Sequence, residues 1–248
     1  MHVYAEDCGV DERAVNLVVR DLHQESKQLV AFKRKWAGVP KANGDVTSDP
    51  VRSRGKDAGR GFKWDAVRFA HKVYAIFHCA KVCDSDVLFW MDADTVCHSP
   101  ITLSEIEQFC SQSDTDLGFL GREGKFSECG LYSMNLRSPA IQQFLAMFQH
   151  LYDDAEAGIF TLHEWHDSFV FDEVRKRVPG IRQTDWSEGL ISGEGHPLIN
   201  SRWGAYLDHL KGRRKDEGRS RASDLKVQRT EDYWKSDERL WYLRWRGN

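Results

Sequence analysis

The chain has 248 residues, 41% of them hydrophobic and 29% charged, with a formal net charge of −3. That length can bury a substantial core, and the near-balanced charge excludes the global basic field that draws a protein to nucleic acid. No stretch holds the roughly eighteen consecutive apolar residues of a membrane span, and HVYAEDCGV follows Met1 where a leader would place a basic segment and an apolar run, so a cytoplasmic protein with no integral membrane segment is expected.

HVYAED reads as a short strand and VNLVVRDL as a second extended or mixed segment. ESKQLVAFKRKW has helical spacing at Leu29, Phe32 and Trp36, closed by Gly38 and Pro40. From Val39 to Phe62 there is no periodicity, only Gly, Pro, Ser, Asp and basic residues. That stretch is expected to be a mobile lid that orders over a bound ligand.

WDAVRFAHKVYAIFHCA places Ala66, Phe69, Ala70, Val73, Ile76, Phe77 and Ala80 on one stripe, which predicts an amphipathic helix with Arg68 and Lys72 off the stripe, one turn apart. It feeds the apolar strand DVLFWM. TLSEIEQFC then reads as a short helix, DLGFLGRE and CGLYSMNL as strands, SPAIQQFLAMFQHLY as a helix with proline in its first turn, and HEWHDSFVFDEVRKRV as another helix. Alternating strands and helices predict an α/β fold with a mainly parallel or mixed central sheet flanked by helices. After Pro179 the pattern weakens. The segment 221–248, with Trp234, Trp241 and Trp245, is expected to dock as an aromatic tail on a single domain spanning 1–220.

The six cysteines are scattered, which points to reduced thiols. HCAKVC has no second Cys or His pair at zinc-finger spacing, so Cys79 and Cys83 read as small buried helix residues. The basic stretches RSRGKDAGRGFK and KGRRKDEGRSR read as solvated faces.

The chemistry starts in DVLFWMDADTV. An apolar run that stops at Asp92 and Asp94 puts two carboxylates at an exposed strand tip, where they suit a hard divalent cation or, equally, an ordinary strand-to-loop transition. Two enzyme chemistries end a strand on D-x-D. In a phosphatase of the haloacid dehalogenase type Asp92 would be the nucleophile, but the acidic pair such an enzyme needs at a second strand end falls here at Asp153 and Asp154, at the end of a helix. In GT-A nucleotide-sugar glycosyltransferases the D-x-D holds a metal on the donor diphosphate.

DHLKGRRK, Asp208 to Lys215, favours the second. It contains H-x-x-G-x-x-K, and with the D-x-D it resembles the glycogenin-like and lipooligosaccharide galactosyltransferase group. The resemblance implies a GT-A, Rossmann-like fold, Mn²⁺ or Mg²⁺ held by Asp92, Asp94 and His209, and a donor diphosphate met by Gly212 and Lys215, with Arg68, Lys72 and Ala93 as further candidates for binding the donor. It further implies transfer of a hexose, with retention, from a nucleoside diphosphate sugar to a carbohydrate or lipid-linked acceptor.

ECGLYSMNL lies where that group has an N-S-G-led strand touching the donor sugar, and HDS lies where it has an Asp-Gln pair beside the reacting carbon. The resemblance thus carries catalytic roles onto Glu128 and Asp167, although Glu128, Cys129 and Ser168 depart from the group's residues. HVYAED resembles the second strand of the base-binding unit. Either the first βα segment is missing or base binding is rearranged. A haloacid-dehalogenase-like phosphatase and a non-catalytic, sugar-binding GT-A relic are the alternatives.

Overall fold

The structure, a computed structural model, describes residues 1–5, 16–47, 59–110, 115–189, 196–212 and 214–235. They form two compact units, each built from two stretches of chain: 1–85 with 142–178, and 86–141 with 179–248.

In the first unit, β1 (His2–Ala5) and β2 (Val18–Asp21) pair in parallel. Asp21 ends β2 and caps the Leu22–Glu25 helix, its Oδ1 accepting from the backbone N–H groups of His23 and Gln24. Ser26 caps Lys27–Trp36 in the same way, and Asp65 caps Ala66–Val82. The expected stripe of the long helix faces inward. Ala66, Ala70, Val73, Ile76 and Phe77 are buried, while Phe69 and Ala80 at its margins are half-buried. Leu29, Phe32 and Tyr152 close the core, with the Phe32 and Tyr152 rings 5.6 Å apart and Phe77 equally close to Phe148 of the Pro139–Asp153 helix. Burying each such side chain contributes about 1.5–3 kcal/mol.

The helix expected over HEWHDSFVFDEVRKRV begins only at Asp167. The reason lies in its neighbours: the N–H groups of Trp165 and His166 are already taken by Lys63 O, and His166 caps the helix through Nδ1. The aperiodic stretch from Val39 to Phe62 opens and closes on short 3₁₀ turns, Pro40–Asn43 and Gly61–Trp64, and residues 48–58 of the expected lid lie outside the described residues. Its two ends meet through glycine backbone. A Cβ on Gly61 would stand 2.1 Å from Gly44 O, and Gly44 itself has φ +72°, so both positions need the smallest residue.

The second unit holds a four-stranded sheet in the order β3 (Val87–Met91), β6 (Glu128–Asn135), β5 (Leu117–Leu120), β7 (Gln183–Asp185). β6 runs antiparallel to both β3 and β5, and only β5 and β7 are parallel. The sheet is mixed, as one of the two expectations had it, but not mainly parallel. β5 and β6 are joined by residues 121–127 alone, too short for the crossover of about a dozen residues that parallel pairing requires.

A second, two-stranded sheet pairs β4 (Thr95–Cys97) antiparallel with β8 (Leu207–His209). The unit's core gathers Phe109, Leu120, Leu131, Trp186, Leu198 and Trp203, with Leu225 and Trp234 packed against it. Trp234 Nε1 donates to Gly204 O at 2.8 Å. The start of the expected tail thus docks on this unit, and Trp241 and Trp245 lie outside the described residues. Cys79 and Cys83 are half-buried free thiols rather than fully buried ones, because they sit at the last turn and cap of their helix. Among the described residues no helix is long and apolar enough to cross a membrane.

Candidate metal centre

β3 delivers its chain to the site edge-on. Past Met91 the Asp92 N–H still donates to Gly130 O of β6 at 2.9 Å, and the chain then turns, with Thr95 N–H on Asp92 O at 3.0 Å. Asp92 and Asp94 flank that turn and Ala93 is exposed at its tip. Trp90, two residues back on the same face of β3, donates from Nε1 to Asp92 Oδ1 at 2.7 Å and fixes that carboxylate.

The turn leads directly into β4, and β4 brings in β8. Their register sets Thr95 opposite His209, and Leu210 N–H donates to Asp94 O at 2.9 Å, so the imidazole arrives beside the two aspartates. His209 Nε2 lies 3.0 Å from Asp94 Oδ1 and 3.8 Å from Asp92 Oδ2. Ligand atoms at right angles around a cation, each about 2.1 Å from it, stand about 3.0 Å apart, so this spacing suits one small divalent ion. The three side chains each offer one ligand atom within 4.8 Å of the others. Two carboxylates and an imidazole offer oxygen and nitrogen donors and no thiolate, a set open to several first-row divalent ions, Mn²⁺ among them.

The surroundings hold His209 in that place. Its side chain is 1% exposed, whereas those of Asp92 and Asp94 keep about a quarter of their surface open. Gly130 forms the wall behind the ring: a Cβ there would meet His209 Cε1 at 2.4 Å and Nδ1 at 2.5 Å. His196 Nε2 donates to the His209 carbonyl at 2.9 Å.

Lys215, in the short Arg214–Glu217 helix, pairs its Nζ with Asp94 Oδ2 at 2.9 Å and is half-exposed. Gly212 before it takes the left-handed φ of +62°. Burial pushes the Asp94 carboxyl up, but the hydrogen bonds from His209 and Lys215 outweigh it and hold the group well below the usual carboxylate range. Four residues proposed by the two motifs, Asp92, Asp94, His209 and Lys215, therefore meet in one place.

Glu128 is also here, but in an unexpected position. It is buried, its Oε1 lies 3.6 Å from His209 Nδ1, and Lys211 Nζ donates to both of its oxygens at 2.9 and 3.2 Å. Burial pushes its carboxyl up, yet neighbouring Lys211, His209 and Arg122 hold it down to about 2. Sequence reading missed Lys211, Gly130, Trp90 and His196. Trp90 carries a usable signal, since it lies two residues from Asp92 in extended chain and so on the same face, whereas Lys211 follows a tight turn in which its N–H donates to His209 O at 3.0 Å.

Asp167, Lys72 and Arg68 belong to the other unit. Asp167 Oδ2 and Lys72 Nζ form a largely buried ion pair at 2.7 Å, and Arg68 is exposed. A cleft of about 660 Å³ in the second unit is lined by Gln183, Trp186, Arg202 and Gln228, among others, and by none of the three candidate ligands. Compared with known protein families, with curated proteins and with solved structures, the chain matches none.

Proposed function

We propose that this protein is a metal-dependent glycosyltransferase that moves a hexose from a nucleoside diphosphate sugar to a carbohydrate or lipid-linked acceptor. One observation carries the reading: His209 and Lys215, from a motif 115 residues downstream, both contact Asp94 of the D-x-D turn. Residues of two motifs that converge on one carboxylate need a common reason. A metal-bound diphosphate supplies one, because imidazole and carboxylates suit the cation while lysine suits the phosphate.

Asp92, Asp94 and His209 would hold Mn²⁺ or Mg²⁺, whose chemistry here is Lewis-acid stabilisation of charge developing on the leaving diphosphate. Lys215 would exchange Asp94 for a phosphate oxygen, a reading its half-exposed side chain supports. Gly212 lets the chain bend ahead of Lys215 without a side chain between backbone and phosphate. A phosphatase using Asp92 as nucleophile gives no task to His209, which is the most buried member of the cluster.

The test is turnover and binding together. The chain is mixed with a panel of nucleoside diphosphate hexoses, with and without Mn²⁺, and followed by thermal shift and by release of nucleoside diphosphate. A donor that raises the melting temperature only with Mn²⁺, and is consumed, supports the reading. A stable aspartyl-phosphate on Asp92 formed without any sugar donor, or no response to any donor, overturns it.

A further inference from the structure

The imidazole of His209 has two nitrogens and, when neutral, one proton. Nε2 points at Asp94 and Asp92, and a carboxylate only accepts, so without a cation Nε2 carries a proton to Asp94 Oδ1 at 3.0 Å. A cation held by the three side chains needs that same Nε2 as a bare lone pair. The ring's proton then belongs on Nδ1, and what faces Nδ1 decides how readily it goes there.

Nδ1 is buried and has no hydrogen-bond partner among the described residues, and Glu128 Oε1 stands 3.6 Å from it. We propose that Glu128 is a positioning residue for the metal centre: its buried carboxylate accepts a hydrogen bond from the Nδ1–H tautomer of His209 and so leaves the Nε2 lone pair facing Asp92 and Asp94. The inference rests on the metal reading above.

The arrangement around Glu128 fits this task better than that of a group touching a sugar. Its side chain is 4% exposed, while Lys211, its ion-pair partner, is 53% exposed. A lysine at the surface has no need of a buried carboxylate, so the burial serves the other side of Glu128, where His209 lies. Lys211 and Arg122, the latter 3.8 Å away, keep Glu128 ionised and therefore an acceptor. The N–H of Gly130 on Oε1 at 3.3 Å orients it, and the missing side chain at Gly130 leaves room for the ring. Carboxylate, histidine and metal in line is a general way to fix a ligand's tautomer and raise its basicity.

The test uses the full chain with nitrogen-15 histidine. Long-range proton–nitrogen spectra, with His209 assigned from its loss in His209→Ala, report which ring nitrogen carries the proton. In the Mg²⁺-loaded wild type the proton is expected on Nδ1. Mn²⁺ affinity, read from the paramagnetic resonance signal of free Mn²⁺, is expected to fall by about 10–100-fold in Glu128→Leu and by less in Glu128→Gln, whose amide oxygen still accepts from Nδ1.

Circular dichroism checks the fold, and if the leucine variant does not fold, the tautomer in wild type and the glutamine variant still decide. Mn²⁺ affinity in the folded leucine variant within about twofold of wild type overturns the inference while leaving the metal site standing, whereas a proton on Nε2 in the loaded wild type removes His209 from the ligand set and overturns both. No Mn²⁺ binding by the wild-type chain overturns the metal reading itself, and this inference with it.

Discussion

Gly130→Ala adds one methyl group to the wall behind His209 and changes no candidate ligand. That Cβ would lie 2.4 Å from Cε1 and 2.5 Å from Nδ1, against a normal contact of about 3.5 Å, so the ring must retreat by about 1 Å. It has little room, because the side chain is 1% exposed and its backbone carbonyl is held by His196. Metal–ligand distances tolerate about 0.2 Å, so a displacement five times larger, roughly, removes Nε2 from the coordination shell. Overpacking of this kind costs about 1–3 kcal/mol of stability. The expected result is a folded protein with a lowered melting temperature and Mn²⁺ affinity reduced at least as much as the roughly 10–100-fold that loss of an outer-shell partner costs. Calorimetric titration with Mn²⁺ beside thermal denaturation measures both. Wild-type affinity in the alanine variant would show that His209 is not a ligand, because no geometry that accommodates the methyl leaves the ring where it is.

Other outcomes follow from the same contacts. Lys215→Ala should weaken nucleoside diphosphate binding in the presence of Mn²⁺ while leaving Mn²⁺ affinity nearly unchanged, whereas His209→Ala should weaken Mn²⁺ itself; calorimetry of both variants with each ligand separates the two roles. Arg182 bonds to the buried Asp116 through backbone N–H and guanidinium, and holds its carboxyl down to about 2. A group depressed in the folded state stabilises above its unfolded pKa and loses that contribution as pH falls through the folded one. Acid unfolding should therefore show a loss on the order of 1–2 kcal/mol between pH about 4 and about 2 that Asp116→Asn no longer shows. Tyr233→Phe removes one of three donors to the buried Asp208 carboxylate, the others being Ser220 N–H and Oγ, and should cost about 1–3 kcal/mol by urea denaturation. An unchanged midpoint would mean that the segment after Ser220 does not brace β8.

The parts of this protein that could be read from its sequence are those whose order is local. The Ala66–Val82 helix announces itself by its stripe and by Asp65 ahead of it, and the Pro139–Asp153 helix by proline in its first turn. β3 ends where the apolar run meets Asp92. β4, β7 and β8 have three residues each and no periodicity to speak of; β4 and β8 exist because they pair with each other, and β7 because it pairs with β5. Strand direction was equally hidden, since β6 takes its antiparallel sense from partners on both sides. Within the site, the resemblance of the two motifs to a known group was enough to nominate Asp92, Asp94, His209 and Lys215. It could not reveal that Glu128 meets Lys211, 83 residues away, and lies behind the imidazole.

The pairing of β4 with β8 also has a meaning in time. Asp94 and His209 are 115 residues apart, and translation adds about 5–20 residues per second, so the aspartate turn waits on the order of 6–23 s for its imidazole. During that interval the nascent chain has two carboxylates and no wall of β8 beside them. Any ligand that needs all three side chains can lend its binding free energy only to a chain made past residue 209. On the metal reading, chains that stop short forgo that free energy, so the helices and strands made between β4 and β8 separate finished molecules from unfinished ones.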